Sequence, residues 1–224
     1  MDTSQGMKMK ILCLHGFRTS GNSLKKQISR WDPSIFANFD MVTFFFPLFY
    51  LLGKEKRVHI LLVRHITNNG PFDCLLGFSQ GAALAGLLLG YKAQGNILKY
   101  NPEFKLLISI SGSKFREPTI CKVAYAEPIM VKSVHLIGEK DWLKLPTEEL
   151  ATAFEKPLVI RHPQGHTVPR LSEQDTSIIS KWTNEFCILP SISINSLKND
   201  DNGSSEVQEK SIGIEKGEAE SLEM

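Results

Sequence analysis

Phe72-Asp73-Cys74-Leu75-Leu76-Gly77-Phe78-Ser79-Gln80-Gly81-Ala82-Ala83-Leu84-Ala85-Gly86-Leu87-Leu88-Leu89 reads as an apolar strand, a tight turn and an apolar helix. The turn, Gly77 to Gly81, has the pattern G-x-S-x-G. A serine hydroxyl is a weak nucleophile unless a base stands beside it. A sharp strand-to-helix turn lifts the hydroxyl clear of the sheet, where such a base can reach it. The flanking glycines remove two Cβ atoms, so a strained turn can approach neighbouring chain without a clash. The five letters alone are weak, since chance supplies one such match in roughly ten to twenty chains of this length. The flanking runs raise the signal. The bland alternative is a glycine-rich turn joining a buried strand to a buried helix.

Outward from that turn, short apolar runs alternate with helix-length segments. Strands are expected at Lys10–Leu14, Asp40–Phe46, Phe72–Phe78, Phe104–Ile110, Ser133–Ile137 and Leu158–His162. Helices are expected at Asn22–Trp31, Glu55–Asn68, Gln80–Gln94, Thr147–Phe154 and Leu171–Phe186. Thr147 is expected to cap its helix, with Glu148 and Glu149 in the first turn. Several strands are nearly all apolar rather than alternating, which marks strands covered on both faces. The expected fold class is therefore α/β, with a mostly parallel central sheet and helices on both faces: the α/β-hydrolase fold.

The chain has 224 residues, 42% hydrophobic and 22% charged, which is ordinary for a soluble globular protein and enough for one sizeable core. Residues 188–224 hold eight acidic residues against three lysines, a net of −5, and the total of +2 leaves +7 on residues 1–187. No Lys/Arg cluster in that body is dense enough to track phosphates, so no nucleic-acid partner is expected. The tail is rich in Ser, Asn, Asp, Glu and Gly. It is expected to be disordered, because it cannot bury enough surface to offset its ordering entropy. The expected organisation is a hydrolase domain over 1–187 and an acidic tail over 188–224.

The apolar run Ile11–Leu14 is too short for a secretory h-region. The longest apolar stretch, Phe44–Leu52, is broken by Pro47, so no membrane span is expected. Cys13, Cys74, Cys121 and Cys187 are widely spaced with no metal pattern. They read as free thiols in a reducing compartment, the cytoplasm with the nucleus also open.

Ser-acid-His is the chain order of such hydrolases, with acid and base on loops after later strands. After the strand ending at Ile137 comes Gly138-Glu139-Lys140-Asp141-Trp142. After the strand ending at His162 comes Pro163-Gln164-Gly165-His166. His166 would take the Ser79 proton and return it to the leaving group. Asp141 would hold the imidazole tautomer and stabilise the imidazolium. Glu139 is the rival acid and His162 the rival base, the latter reading as structural. His135 lies mid-strand and reads as a satisfied buried or half-buried histidine, and His59 and His65 read as surface residues of a helix. An oxyanion hole needs two donors. The Gln80 N–H lies at a helix N-terminus, and the Phe17 N–H follows the strand-ending Leu14-His15-Gly16. The bland reading of His15-Gly16 is a plain strand-terminating turn.

Four blocks carry a resemblance. They are Ile11-Leu12-Cys13-Leu14-His15-Gly16-Phe17, Gly70-Pro71-Phe72-Asp73 running into Gly77–Gly81, Ser109-Ile110-Ser111-Gly112, and His162-Pro163-Gln164-Gly165-His166-Thr167-Val168-Pro169. In this order, over about Lys10 to Phe186, they resemble the FSH-type serine hydrolases. That family of small esterase-like proteins includes the ovarian-cancer-associated protein 2 homologues. The Gly138–Trp142 and Ser111–Arg116 blocks look closest to plant members. The resemblance implies hydrolysis of a small-molecule carboxylic ester with no cofactor, and it implies Ser79, Asp141 and His166 as nucleophile, acid and base. One region departs from the pattern. The family's longer Pro/Gly-rich and aromatic segment after the second strand is shortened here to Pro47–Lys54. An apolar patch around Phe44–Leu52 is expected to be left partly uncovered. That departure keeps open a second class, a non-catalytic hydrolase-fold protein that binds a small ligand.

Overall fold

Side chains of a strand alternate between two faces, so a strand that is apolar throughout needs cover on both. The computed structural model describes residues 8–44 and 55–187 and shows that cover. In β1 (Met9–Leu14), Ile11 and Cys13 join the core that holds Leu24 and Ile28 of α1 (Gly21–Ile28). Leu12 and Leu14 join the opposite core, which holds Leu62 and Ile66 of α2 (Glu55–Asn69). Every residue of β3 (Cys74–Phe78) and β4 (Leu106–Ile110) is buried. With β2 (Phe39–Phe44), β5 (Lys132–Gly138) and β6 (Leu158–His162), these form one six-stranded sheet in the order β2-β1-β3-β4-β5-β6. All five pairings are parallel.

The helix after the serine turn, α3 (Gln80–Ala93), is buried from Gly81 to Gly90, as a helix that is apolar all round must be. With Leu150 of α5 (Lys144–Ala151) it fills the α2 side of the sheet. The α1 side is closed by a 3-10 turn at Pro33–Phe36, through Ile35, and by α6 (Glu173–Cys187), through Ile179. Winding passes outward from β1 to β2, then back across β1 to β3. Loops leaving the carboxyl ends of β1 and β3 therefore diverge, which opens a crevice there.

Three local readings change. The sequence reading has no helix at α4 (Pro118–Ala124), although Glu117 accepts from the Thr119 and Ile120 N–H groups and Pro118 stands at N1. Thr147 is not a cap. It is fully buried inside α5, and its Oγ1 donates to the Leu143 carbonyl at 2.8 Å. The helix starts earlier because Asp141 accepts from the Leu143 N–H at 2.8 Å and organises that turn. His59 and His65 are half-buried, not surface residues. His59 stacks on Tyr91 at 5.2 Å, and His65 contacts Phe44 at 4.3 Å and Phe72 at 5.9 Å. Phe44 is thereby buried. The rest of the expected apolar patch, the shortened segment Pro47–Lys54, and the 188–224 tail lie outside the described residues.

Candidate active site

The turn after β3 is built from close approaches. A Cβ on Gly81 would lie 2.1 Å from the Leu14 carbonyl oxygen, and one on Gly77 would lie 2.5 Å from the Ala82 N and Cα. Backbone sits where any side chain would go, so both positions require glycine. Between them Ser79 adopts φ 55°, ψ −117°, strained for a residue with a Cβ. Its N–H donates to the Ile110 carbonyl at 2.8 Å, which pins the turn to β4. A serine before a helix usually folds its hydroxyl back onto the first turn. Here the Ser79 side chain makes no such capping bond, and its Oγ lies 2.9 Å from His166 Nε2.

His166 sits in the loop after β6. Its other nitrogen, Nδ1, lies 3.1 Å from both Asp141 oxygens. The Asp141 loop and the His166 loop are laced together: Lys140 N–H donates to the Gln164 carbonyl at 3.2 Å, and Glu139 N–H to the His162 carbonyl at 2.8 Å. Asp141 is only 6% exposed. Burial pushes its carboxyl up, but the Ser111 hydroxyl, which lies near it without completing a hydrogen bond, the Leu143 N–H and His166 outweigh that and hold it below its ordinary value. It therefore stays ionised beside the imidazole. Ser111, at φ 51° after β4, was not singled out from the sequence as a site residue. The signal was its place at the end of a central strand.

Each rival stands apart from the relay. Glu139 points to the surface, with Lys144 at 2.5 Å and Arg161 at 3.3 Å; the Lys144 hydrogen bond leads the lowering of its pKa. His162 is buried, both ring nitrogens lack a hydrogen-bond partner among the described residues, and burial pushes its pKa down. His135 is fully buried with Nε2 3.1 Å from Ser133 Oγ, and burial pushes its pKa down to about 3. Its Nδ1 has no hydrogen-bond partner among the described residues, so it is only half satisfied. His15 is buried, with Nδ1 2.9 Å from the Gly16 carbonyl oxygen.

Ser79 and His166 open into a cavity of about 520 Å³. Phe17 and Gln80 line it as well. Phe78, Trp142, Leu143 and Ala83 make its apolar wall, and Thr19, Gln27 and Ser113 its polar one. Apart from Phe17, Gln80 and the relay itself, none of these was given a pocket role from the sequence, because a pocket wall is assembled from distant loops. Among the described residues no group of three or more His, Cys, Asp or Glu could hold a metal ion, and no helix is long and apolar enough to cross a membrane.

This arrangement has relatives. Residues 3–49 and 53–178 match the family model described as serine hydrolase, FSH1, with the break inside the shortened segment. Esterase OVCA2 of Xenopus tropicalis is 39% identical over 76% of this chain and 90% of its own length. Esterase CG5412 of Drosophila melanogaster is 29% identical over 77% of this chain and 73% of its own. Among solved structures, acyl-protein thioesterase 2 of Zea mays superposes with a TM-score of 0.57 at 18% identity, covering 84% of this chain and 97% of that one. At that identity the likeness is one of fold, the α/β-hydrolase fold. A family match over most of the length and a relative at 39% identity lead to one conclusion: the chain belongs to the FSH1 serine hydrolase family.

Proposed function

We propose that the protein hydrolyses carboxylic esters through an acyl-enzyme on Ser79. The observation that carries the reading is the unbroken relay from Ser79 Oγ to His166 Nε2 at 2.9 Å and from His166 Nδ1 to Asp141 at 3.1 Å. Ser79 Oγ attacks the ester carbonyl as His166 takes its proton. The carbonyl oxygen becomes an oxyanion, held by the Gln80 and Phe17 N–H groups. Donors of this kind contribute about 3–4 kcal/mol each. The C–O bond then breaks, and the alcohol leaves with the proton from His166. Water, deprotonated by His166, attacks the acyl-enzyme; the acyl C–Oγ bond breaks, His166 returns the proton to Ser79 Oγ, and the carboxylic acid leaves. The Asp141 carboxylate stabilises the imidazolium in both halves. No cofactor enters any step.

The same reading extends to setting. A hydrolase domain over 1–187 with a separate acidic tail, action in the cytoplasm or nucleus, and a particular nearness to plant members rest on composition and on the Gly138–Trp142 and Ser111–Arg116 blocks. A fluorophosphonate probe tests the core of the proposal. Labelling at Ser79 in folded protein, lost in Ser79→Ala, is expected. Absence of labelling would return the chain to the binding-protein class. A panel of p-nitrophenyl esters of increasing length would then define the acyl group.

A further inference from the structure

His166 touches two aromatic rings. Its ring centroid lies 5.2 Å from that of Phe78, at an interplanar angle of 35°, and 5.1 Å from that of Trp142, at 44°. The two rings stand differently in the fold. Phe78 ends a central strand and is buried. Trp142 is 75% exposed and belongs to none of the buried clusters. An indole left this open adds little to the core. It follows Asp141 directly. The turn that brings the carboxylate to Nδ1 therefore brings the indole to the same imidazole, and the Asp141–Leu143 N–H bond fixes that turn.

Hydrogen bonds to its two nitrogens hold an imidazole along one axis and leave it free to tilt about that axis. A ring against its side restricts the tilt. An aromatic face also carries negative quadrupole charge and attracts a cation. The imidazole is cationic only after it has taken the serine proton. The attraction is therefore stronger in the transition state than at rest, and that difference is what accelerates a reaction.

We propose that Trp142 is a positioning residue for the base: its indole holds the His166 imidazole in line with Ser79 and Asp141 and stabilises the imidazolium formed as Ser79 attacks. The inference rests on the esterase reading above. Its rival is a plain pocket wall, since Trp142 also lines the cavity. Two substrates and three variants separate them. In the full chain, kcat and KM are measured for p-nitrophenyl acetate and p-nitrophenyl octanoate with wild type, Trp142→Phe, Trp142→Leu and Trp142→Ala. Fluorophosphonate labelling and thermal midpoint are followed alongside. The Ala and Leu variants should lose about 3- to 30-fold in kcat on both esters, the range of a cation–π contact. Their KM should stay within about twofold. The Phe variant should keep kcat within about twofold of wild type, and all midpoints should agree. Leu as active as Phe would reduce the contact to packing. A loss confined to octanoate, or carried by KM, would make Trp142 a pocket wall. Unchanged variants of a wild type that labels and turns over would sink this inference alone. A wild type that neither labels nor turns over would remove the esterase reading and this one with it.

Discussion

At Ser79 the polypeptide spends conformational strain on direction. A non-glycine residue at φ 55° loses stability, and here it aims one hydroxyl at His166. Ser79→Ala removes the proposed nucleophile and leaves the turn, so ester hydrolysis should fall by on the order of 10⁶ in kcat. The thermal midpoint should stay within a few degrees, because the hydroxyl makes no cap. Activity surviving in a clean preparation would place the nucleophile elsewhere. Asp141 and Glu139 offer a sharper comparison, two carboxylates two residues apart. Asp141 is buried against His166, whereas Glu139 is spent on Lys144 and Arg161. Asp141→Asn should lower kcat by about 10⁴. Glu139→Gln should leave it within about twofold, since exposed ion pairs contribute little. Reversal of the two effects would transfer the acid to Glu139.

At the scale of elements, β5 carries a liability for acid. His135 is central in that strand, its pKa pushed down to about 3 by burial. In the unfolded chain it titrates near 6.5. The folded state therefore binds fewer protons, and its stability is whole above about pH 6.5 and declines as pH falls toward 3. The slope from this residue is about 1.4 kcal/mol per pH unit within that window. Burial shifts His59, His65 and His162 the same way and adds to it. Urea unfolding at pH 7, 6, 5 and 4 should show a steep decline, and His135→Leu should flatten it by about one proton's slope. An equal slope in the variant would mean that His135 is already charged when folded. Elements of this kind were readable when their pattern was strong. β3, β4 and α3 are apolar over long runs and lie within two residues of where the sequence puts them. α4 was missed because seven residues carry too little periodicity, and its signal was a cap, Glu117-Pro118. The start of α5 was misread because a buried side chain from the preceding loop, Asp141, outcompeted a local threonine cap. The relay residues were legible from motif and loop position. Trp142 as a neighbour of the imidazole was not, since ring contacts depend on how two loops meet.

Over the whole molecule, charge and apolar surface separate along the chain. The body through 187 carries +7, the acidic segment after it −5, and the relay draws only on loops after β3, β5 and β6. The matched family region ends at residue 178. The residues beyond supply none of the groups that the proposed chemistry uses. Termini of such composition are usually tolerant of removal. A chain ending at Cys187 should therefore keep its fold and its kcat/KM on a p-nitrophenyl ester. It would be more basic than the full chain, so its solubility at low salt should fall without any change at Ser79. Thermal midpoint and kcat/KM, measured on both lengths, check this. A fall of more than about 5 °C corresponds, for a domain of this size, to a loss on the order of 1–2 kcal/mol. Such a fall would mean that the acidic segment packs on the body. Loss of kcat/KM at an unchanged midpoint would mean instead that it takes part in binding the ester.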